Sequence, residues 1–154
     1  MKIGKHSERD PLKDEQYTPK WIFDHMGTEF DLDVAAPTGG APHVPARRYY
    51  TVVEDGLIQP WSGLVFMNPP YSAAKPWVEK FMAHGNGIAL LPFSKSQWFW
   101  ELWGKASGVS AILGDVKFET PTDKTNKIFM QVALFAMGEQ AKEILTNAKI
   151  SRVR

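Results

Sequence analysis

Apolar residues fall in this chain either as short unbroken runs or at helical spacing, and the two patterns alternate. "GLVFM" (63–67) and "GIALLPF" (87–93) are continuous runs of strand length, the pattern of strands buried on both faces of a parallel sheet. "FDLDVAA" predicts a strand over Phe30–Val34, "RRYYTVV" (47–53) another from its aromatic and β-branched content, and "VSAIL" (109–113) a further one. Between them, Trp21, Ile22 and His25 or Met26 line one helical face in "YTPKWIFDHMG". Thr18 there is placed to cap, Pro19 to take the first helical position and Gly27 to end the helix. Val78, Phe81 and Met82 predict a helix over Ala74–His84, with Pro76 tolerated in its first turn and Gly85 as its stop. Ser94 is placed to cap a helix in "KSQWFWELWGK", and "EQAKEILTNAK" (139–149) is a closing amphipathic helix. "GDVKFE" and "KIFMQVALFAM" predict two strands joined by the polar "TPTDKTN" as a long hairpin, whereas "PTGGAPHVPA" must be loop.

The order predicts an α/β fold of three layers, its sheet mainly parallel with an antiparallel hairpin strand near the C-terminus. Ligands in such sheets sit at the carboxyl ends of the strands. The loops after Val34 and Met67 are therefore expected on one rim. Residues 1–16 read as a charged, aperiodic arm, and 17–154 as a single domain.

Composition narrows the class. The 154 residues are 44% hydrophobic and 23% charged, as in soluble globular proteins; no apolar run is long enough to span a bilayer, and the first 16 residues lack the apolar core of a signal peptide. A cytoplasmic location is expected. Without cysteine there is no thiolate nucleophile and no cysteine zinc site, and His6, His25, His43 and His84 have no metal-ligand spacing, so no metal is expected. At a net charge of +1, any nucleic-acid surface must be local.

"NPPY", Asn68–Tyr71, follows the apolar run at 63–67 directly. An exocyclic amine on a nucleobase is a poor nucleophile because its lone pair is delocalised into the ring. Two fixed acceptors that bind both N–H groups favour a tetrahedral nitrogen and aim its lone pair at an electrophile. The Asn68 side-chain oxygen and the Pro69 carbonyl could serve, with Pro69 and Pro70 stiffening the backbone and Tyr71 offering a flat face to a base. The competing reading is a rigid turn with Tyr71 as packing.

With its neighbours, the motif resembles a family. "YTP", "FDLDVAAP", "YYT", "DGLIQPWSGLVFMNPPYS" and "WVEKF", in this order from about Tyr17 to Met137, are similar to the small Dam-type N6-adenine DNA methyltransferases carried by bacteriophages and prophages. The resemblance implies a Rossmann-like S-adenosylmethionine methyltransferase fold, S-adenosylmethionine as cofactor, DNA as partner, and the host cytoplasm as location if phage-encoded. It implies Asn68, Pro69, Pro70 and Tyr71 as the catalytic motif. Thr18 and Asp33 match residues at the methionine end of the cofactor, and Ala35, Gly39 and Gly40 match the segment where backbone approaches it. Asp55 matches the acid that accepts from the cofactor's adenine amine, with Leu57 packing beneath the ring and Glu54 a candidate for the ribose. Phe118 matches an aromatic that stacks on the target adenine; Lys117, Lys124, Lys127, Arg47 and Arg48 are candidates for phosphate contacts.

Pro37 stands where the wider superfamily has glycine, a departure in the cofactor loop. Two other readings remain open at this point. One is an NPPY enzyme acting on RNA bases or protein glutamine, the other a non-catalytic DNA-binding phage protein that kept the fold. The chain has little room for a separate recognition domain, so base contacts are expected from Pro37–Arg48 and Thr120–Asn126, with a homodimer partner as a further source.

Overall fold

A computed structural model of the chain describes residues 16–119 and 128–154. The chain runs α1 (Lys20–Met26), β1 (Phe30–Asp33), β2 (Ala46–Tyr49), β3 (Val65–Met67), a 3₁₀ turn (Tyr71–Ala73), α2 (Ala74–His84), β4 (Gly87–Pro92), α3 (Gln97–Lys105), β5 (Gly108–Ala111), β6 (Val116–Phe118), β7 (Ile128–Met130), β8 (Val132–Met137) and α4 (Glu139–Ala148). Six strands form one sheet in the order β2-β1-β3-β4-β8-β5, and β6 pairs with β7 in a separate ribbon. β8 runs antiparallel to both β4 and β5, while β1 pairs parallel with β2 and β3, and β3 with β4. The expected mainly parallel sheet with a late antiparallel strand is present.

Both faces of the sheet are covered, which is why its central strands read as unbroken apolar runs. Phe66, Ile88, Leu90, Leu134 and Ala136 pack with Ile22, Phe23 and Met26 of α1 and Ala141, Leu145 and Ala148 of α4. Val65, Met67, Ala89, Leu91, Ala133 and Phe135 pack on the other side with Trp77, Val78 and Phe81 of α2 and Phe99 and Leu102 of α3. The alternation along β3 and β8 is the period-two consequence of a pleated strand between two apolar layers. His25 Nδ1 donates to the Ala148 carbonyl at 3.1 Å and ties α1 to α4.

Several expected boundaries move. Thr18 does not cap α1: Pro19 occupies the cap position without a side-chain bond, and the Thr18 hydroxyl turns instead toward Asn68. Gly27 ends α1 in the left-handed conformation, as expected. α3 begins at Gln97, two residues after the segment expected to open it; Ser94 Oγ accepts from the Ser96 N–H and shapes the preceding turn. "RRYYTVV" is strand only to Tyr49, because Thr51 and Glu54 close a turn in which Glu54 accepts from both the N–H and the hydroxyl of Thr51. The predicted second hairpin strand divides at Gln131, so that β7 stays with β6 while β8 enters the main sheet.

The two sheet edges differ: β2 is open, whereas the chain's last residues pair along β5. The edge strand β2 exposes Arg47, Arg48 and Tyr49. Along β5, Arg154 exchanges backbone bonds with Val109, and Val153 bridges Ser110. Among the described residues no helix is long and apolar enough to cross a membrane.

Gly87 opens β4 where β3 lies closest. A Cβ there would stand 2.5 Å from both the Val65 carbonyl oxygen and its Cγ2. Gly87→Ala is expected to destabilise the protein by roughly 1–3 kcal/mol, the usual range for overpacking a core, read as a lower urea midpoint.

Candidate functional site

β3 is three residues long and wholly buried, and it stops at Met67 because Pro69 and Pro70 have no N–H to extend a ladder. β4 continues beyond it, pairing Leu90, Leu91 and Pro92 with β8 alone. The chain from Asn68 to Tyr71 therefore turns across the carboxyl end of the sheet. The Ala73 N–H bonds the Pro70 carbonyl at 3.1 Å and leads through the 3₁₀ turn into α2.

The Asn68 side chain is fixed by its partners. Nδ2 donates to the Gln16 carbonyl and to Thr18 Oγ1, both at 3.1 Å, and Oδ1 accepts from the Tyr71 hydroxyl at 2.6 Å. The Gln16 carbonyl can only accept, so the amide cannot be flipped without placing two oxygens against each other. Burial pushes the Tyr71 phenol above its ordinary value. It is thus protonated at neutral pH and donates to Asn68 Oδ1, an oxygen whose second lone pair can take a further donor.

Three other segments meet this rim. Tyr17 and Glu119 pair through their backbones, with Tyr17 N–H to Glu119 carbonyl at 2.8 Å, so the β6–β7 ribbon lies beside Gln16–Thr18. β1 ends next to β3, where the Val34 N–H bonds the Phe66 carbonyl at 3.1 Å. The loop at 55–61 is pressed onto the end of β1: a Cβ on Gly56 would lie 2.0 Å from the Val34 carbonyl oxygen and 3.0 Å from the Trp77 ring. Thr18, Asp33, Asp55 and Asn68, distant in sequence, thus belong to one end of the sheet.

Asp33 is 3% exposed, and its carboxylate accepts one long bond of 3.3 Å from the Ala35 N–H. Burial pushes its pKa up to about 7, against the opposing pull of that bond. In the loop that follows, the Gly40 N–H closes on the Pro37 carbonyl at 2.8 Å with Gly39 at φ 83°, a tight turn whose third residue needs the left-handed region. Pro37 opens this turn without a N–H being required of it. Asp55 is itself left-handed at φ 60°, and its Oδ1 accepts from the Leu57 N–H at 3.0 Å. Leu57 packs on the α2–α3 side of the core.

The other candidates lie elsewhere. Phe118 is completely buried in the α1–α4 core, so it offers no face to a stacked base in this structure; its neighbours on the strand explain why. Val116 and Phe118 point inward, leaving Lys117 outward opposite Phe129, which is 59% exposed. Arg47 bonds Glu29 at 2.6 Å and lies 4.0 Å from Asp31, and Arg48 donates to Ser62 Oγ at 2.8 Å, all away from the Asn68 rim. Lys124, Lys127 and the expected Thr120–Asn126 contacts lie outside the described residues.

Three residues of α2 were not expected to matter. Trp77 packs under Gly56, Lys80 Nζ donates to the carbonyls of Gly56, Leu57 and Gln59, and His84 Nε2 donates to the Gly63 carbonyl at 2.8 Å. Their spacing puts them on one helical face, a sign present in the sequence but hidden because lysine and histidine read as surface.

The raised Asp33 pKa has a definite sign for stability. The folded state keeps the proton up to about pH 7, the unfolded chain releases it near the ordinary 3.8, so stability falls as pH rises through that window. Asp33→Asn is expected to raise the unfolding free energy of the protein alone at pH 8 by up to a few kcal/mol, read as a higher urea midpoint, with the gain shrinking toward zero at about pH 4. A gain equal at both pH values would show that Asp33 does not titrate in this way.

The family model described as DNA N-6-adenine-methyltransferase (Dam) matches residues 5–149. No curated protein and no solved structure matches the chain. Spanning nearly the whole length and all the segments that meet at Asn68, the match shows that the chain belongs to the DNA N-6-adenine-methyltransferase (Dam) family, whose activity is methylation of adenine in DNA.

Proposed function

We propose that the chain transfers a methyl group from S-adenosylmethionine to the N6 amine of an adenine flipped out of DNA, by direct attack at the Asn68–Tyr71 motif. The observation that carries this reading is the Asn68 amide, whose nitrogen is held inward by Gln16 and Thr18 so that its oxygen is the group left toward Tyr71. Asn68 Oδ1 and the Pro69 carbonyl accept the two N6–H bonds and favour a tetrahedral nitrogen. The Tyr71 hydroxyl stands in for one of those donors until the base arrives, and its ring then stacks on the base. Unstacking the adenine costs a few kcal/mol, which the stacking and hydrogen bonds in the site offset.

The residues present fit the cofactor. Asp33 is a buried carboxylate with one weak donor, and Gln16 Oε1 is buried without a partner, so the rim is short of donors and suits a ligand carrying an ammonium and amines. Asp33 and Thr18 would hold its methionine end, Ala35 and Gly39 its path along the β1 loop, and Asp55 and Leu57 its adenine. When bound, S-adenosylmethionine supplies the methyl group as an electrophile on sulfur. Lys117 would meet a DNA phosphate, a solvent-facing role that adds affinity rather than sequence choice.

Asn68→Ala is expected to bind S-adenosylmethionine within about twofold of the parent by calorimetry, yet lose methyl transfer by roughly 100-fold or more, the scale of removing one oriented polar group from a transition state. Parental rates in that variant, or label recovered in any nucleoside but N6-methyladenine, would sink the reading. Tyr71→Phe should retain most activity, since stacking survives without the hydroxyl, whereas Tyr71→Ala should lose about 1–3 kcal/mol of transition-state binding, seen in kcat/KM for DNA.

A further inference from the structure

We infer that Lys80 is a positioning residue for the cofactor's adenine, holding in place the loop that carries Asp55; this rests on the reading that Asp55 and Leu57 receive that adenine. An ammonium has three N–H bonds, and here all three are engaged by backbone: the Gly56, Leu57 and Gln59 carbonyls accept at 3.1, 2.8 and 2.5 Å. The Lys80 nitrogen also lies 5.1 Å from the centre of the Trp61 ring, and the Trp61 indole N–H donates to the Gly56 carbonyl at 2.7 Å. The cation is bracketed by its own loop.

The coupling to Asp55 passes through two peptide planes. In a trans peptide the C=O and N–H point in opposite directions, so holding one sets the other. The plane whose carbonyl is Gly56 has Leu57 N–H on its far side, and this N–H bonds Asp55 Oδ1; the next plane, with the Leu57 carbonyl, turns Ile58 N–H onto the Asp55 carbonyl at 3.0 Å. Lys80 thereby fixes both the left-handed backbone of Asp55 and the direction of its carboxylate, which attracts the ammonium in return. The residue sits on α2, the helix that the Asn68–Tyr71 turn enters, so one rigid element carries the reacting motif at its start and the adenine loop on its flank.

The test is calorimetric titration of the full chain with S-adenosylmethionine, joined to steady-state methylation of DNA and thermal melting. Lys80→Met, which keeps the stem and removes the donors, is expected to weaken cofactor binding about tenfold, with kcat at saturating cofactor within about threefold and KM for DNA unmoved. Lys75→Met, on the same helix and paired with exposed Glu79, is the control and should match the parent. Parental cofactor affinity in Lys80→Met overturns the inference, as does a loss of cofactor and DNA affinity in equal measure, which marks a purely structural staple. Asp55→Asn separates the two levels: if it loses cofactor affinity while Lys80→Met does not, only the role of Lys80 fails; if it too binds normally, the placement of the adenine fails first. Should Lys80→Met not fold, Trp61→Phe removes the indole N–H from Gly56 and keeps a ring beneath the cation. A several-fold loss of cofactor affinity with KM for DNA unchanged then supports the inference, and parental affinity overturns it.

Discussion

Pro69 and Pro70 have no N–H to offer a neighbouring strand, and the site follows from that single deficiency. β3 must stop at Met67 while β4 runs on beside β8, so the sheet is notched at its carboxyl end, directly above the most buried strand. Into the notch turn the Gln16–Thr18 segment, the end of β1 and the loop after β2, each supplying backbone or side-chain groups that the missing ladder leaves room for. Had the residues at 69 and 70 been ordinary, strand pairing would have consumed the same backbone groups internally.

The chemistry at the notch is set by an imbalance of donors and acceptors. Asn68 presents an oxygen, Asp33 an underserved carboxyl, Asp55 a carboxylate bonded through one oxygen, and Gln16 an orphan carbonyl of its side chain. Water can satisfy such groups when exposed, but buried acceptors are costly until a donor arrives. A ligand rich in N–H bonds is the complement, which is the chemistry the proposed adenine amine and amino-acid ammonium would bring.

How much of this was legible in the sequence depends on where the deciding interaction lies. Strands read well where burial is two-sided, because "GLVFM" and "GIALLPF" have no other economical explanation, and the Ala74–His84 helix ran to its predicted limits between local punctuation and Gly85. Thr18 was misjudged as a cap since its true partner, Asn68, is fifty residues away. Lys80 was invisible for the same reason: three backbone carbonyls leave no mark in a sequence, and a lysine next to Glu79 looks solvated. The fate of "KIFMQVALFAM" could not be read either, because leaving the ribbon at Gln131 is decided by the space between β4 and β5 rather than by the run itself.

The pairing of Arg154 and Val153 along β5 has a consequence for the molecule as a colloid. A bare edge strand is a template on which a second sheet can grow, and at this end the template is already covered by the chain's own backbone. The opposite edge, β2, carries two guanidinium groups, whose charge and hydration oppose a flat approach by another strand. Growth of the sheet by addition of a strand is thereby opposed at both ends, by backbone at one and by charge at the other.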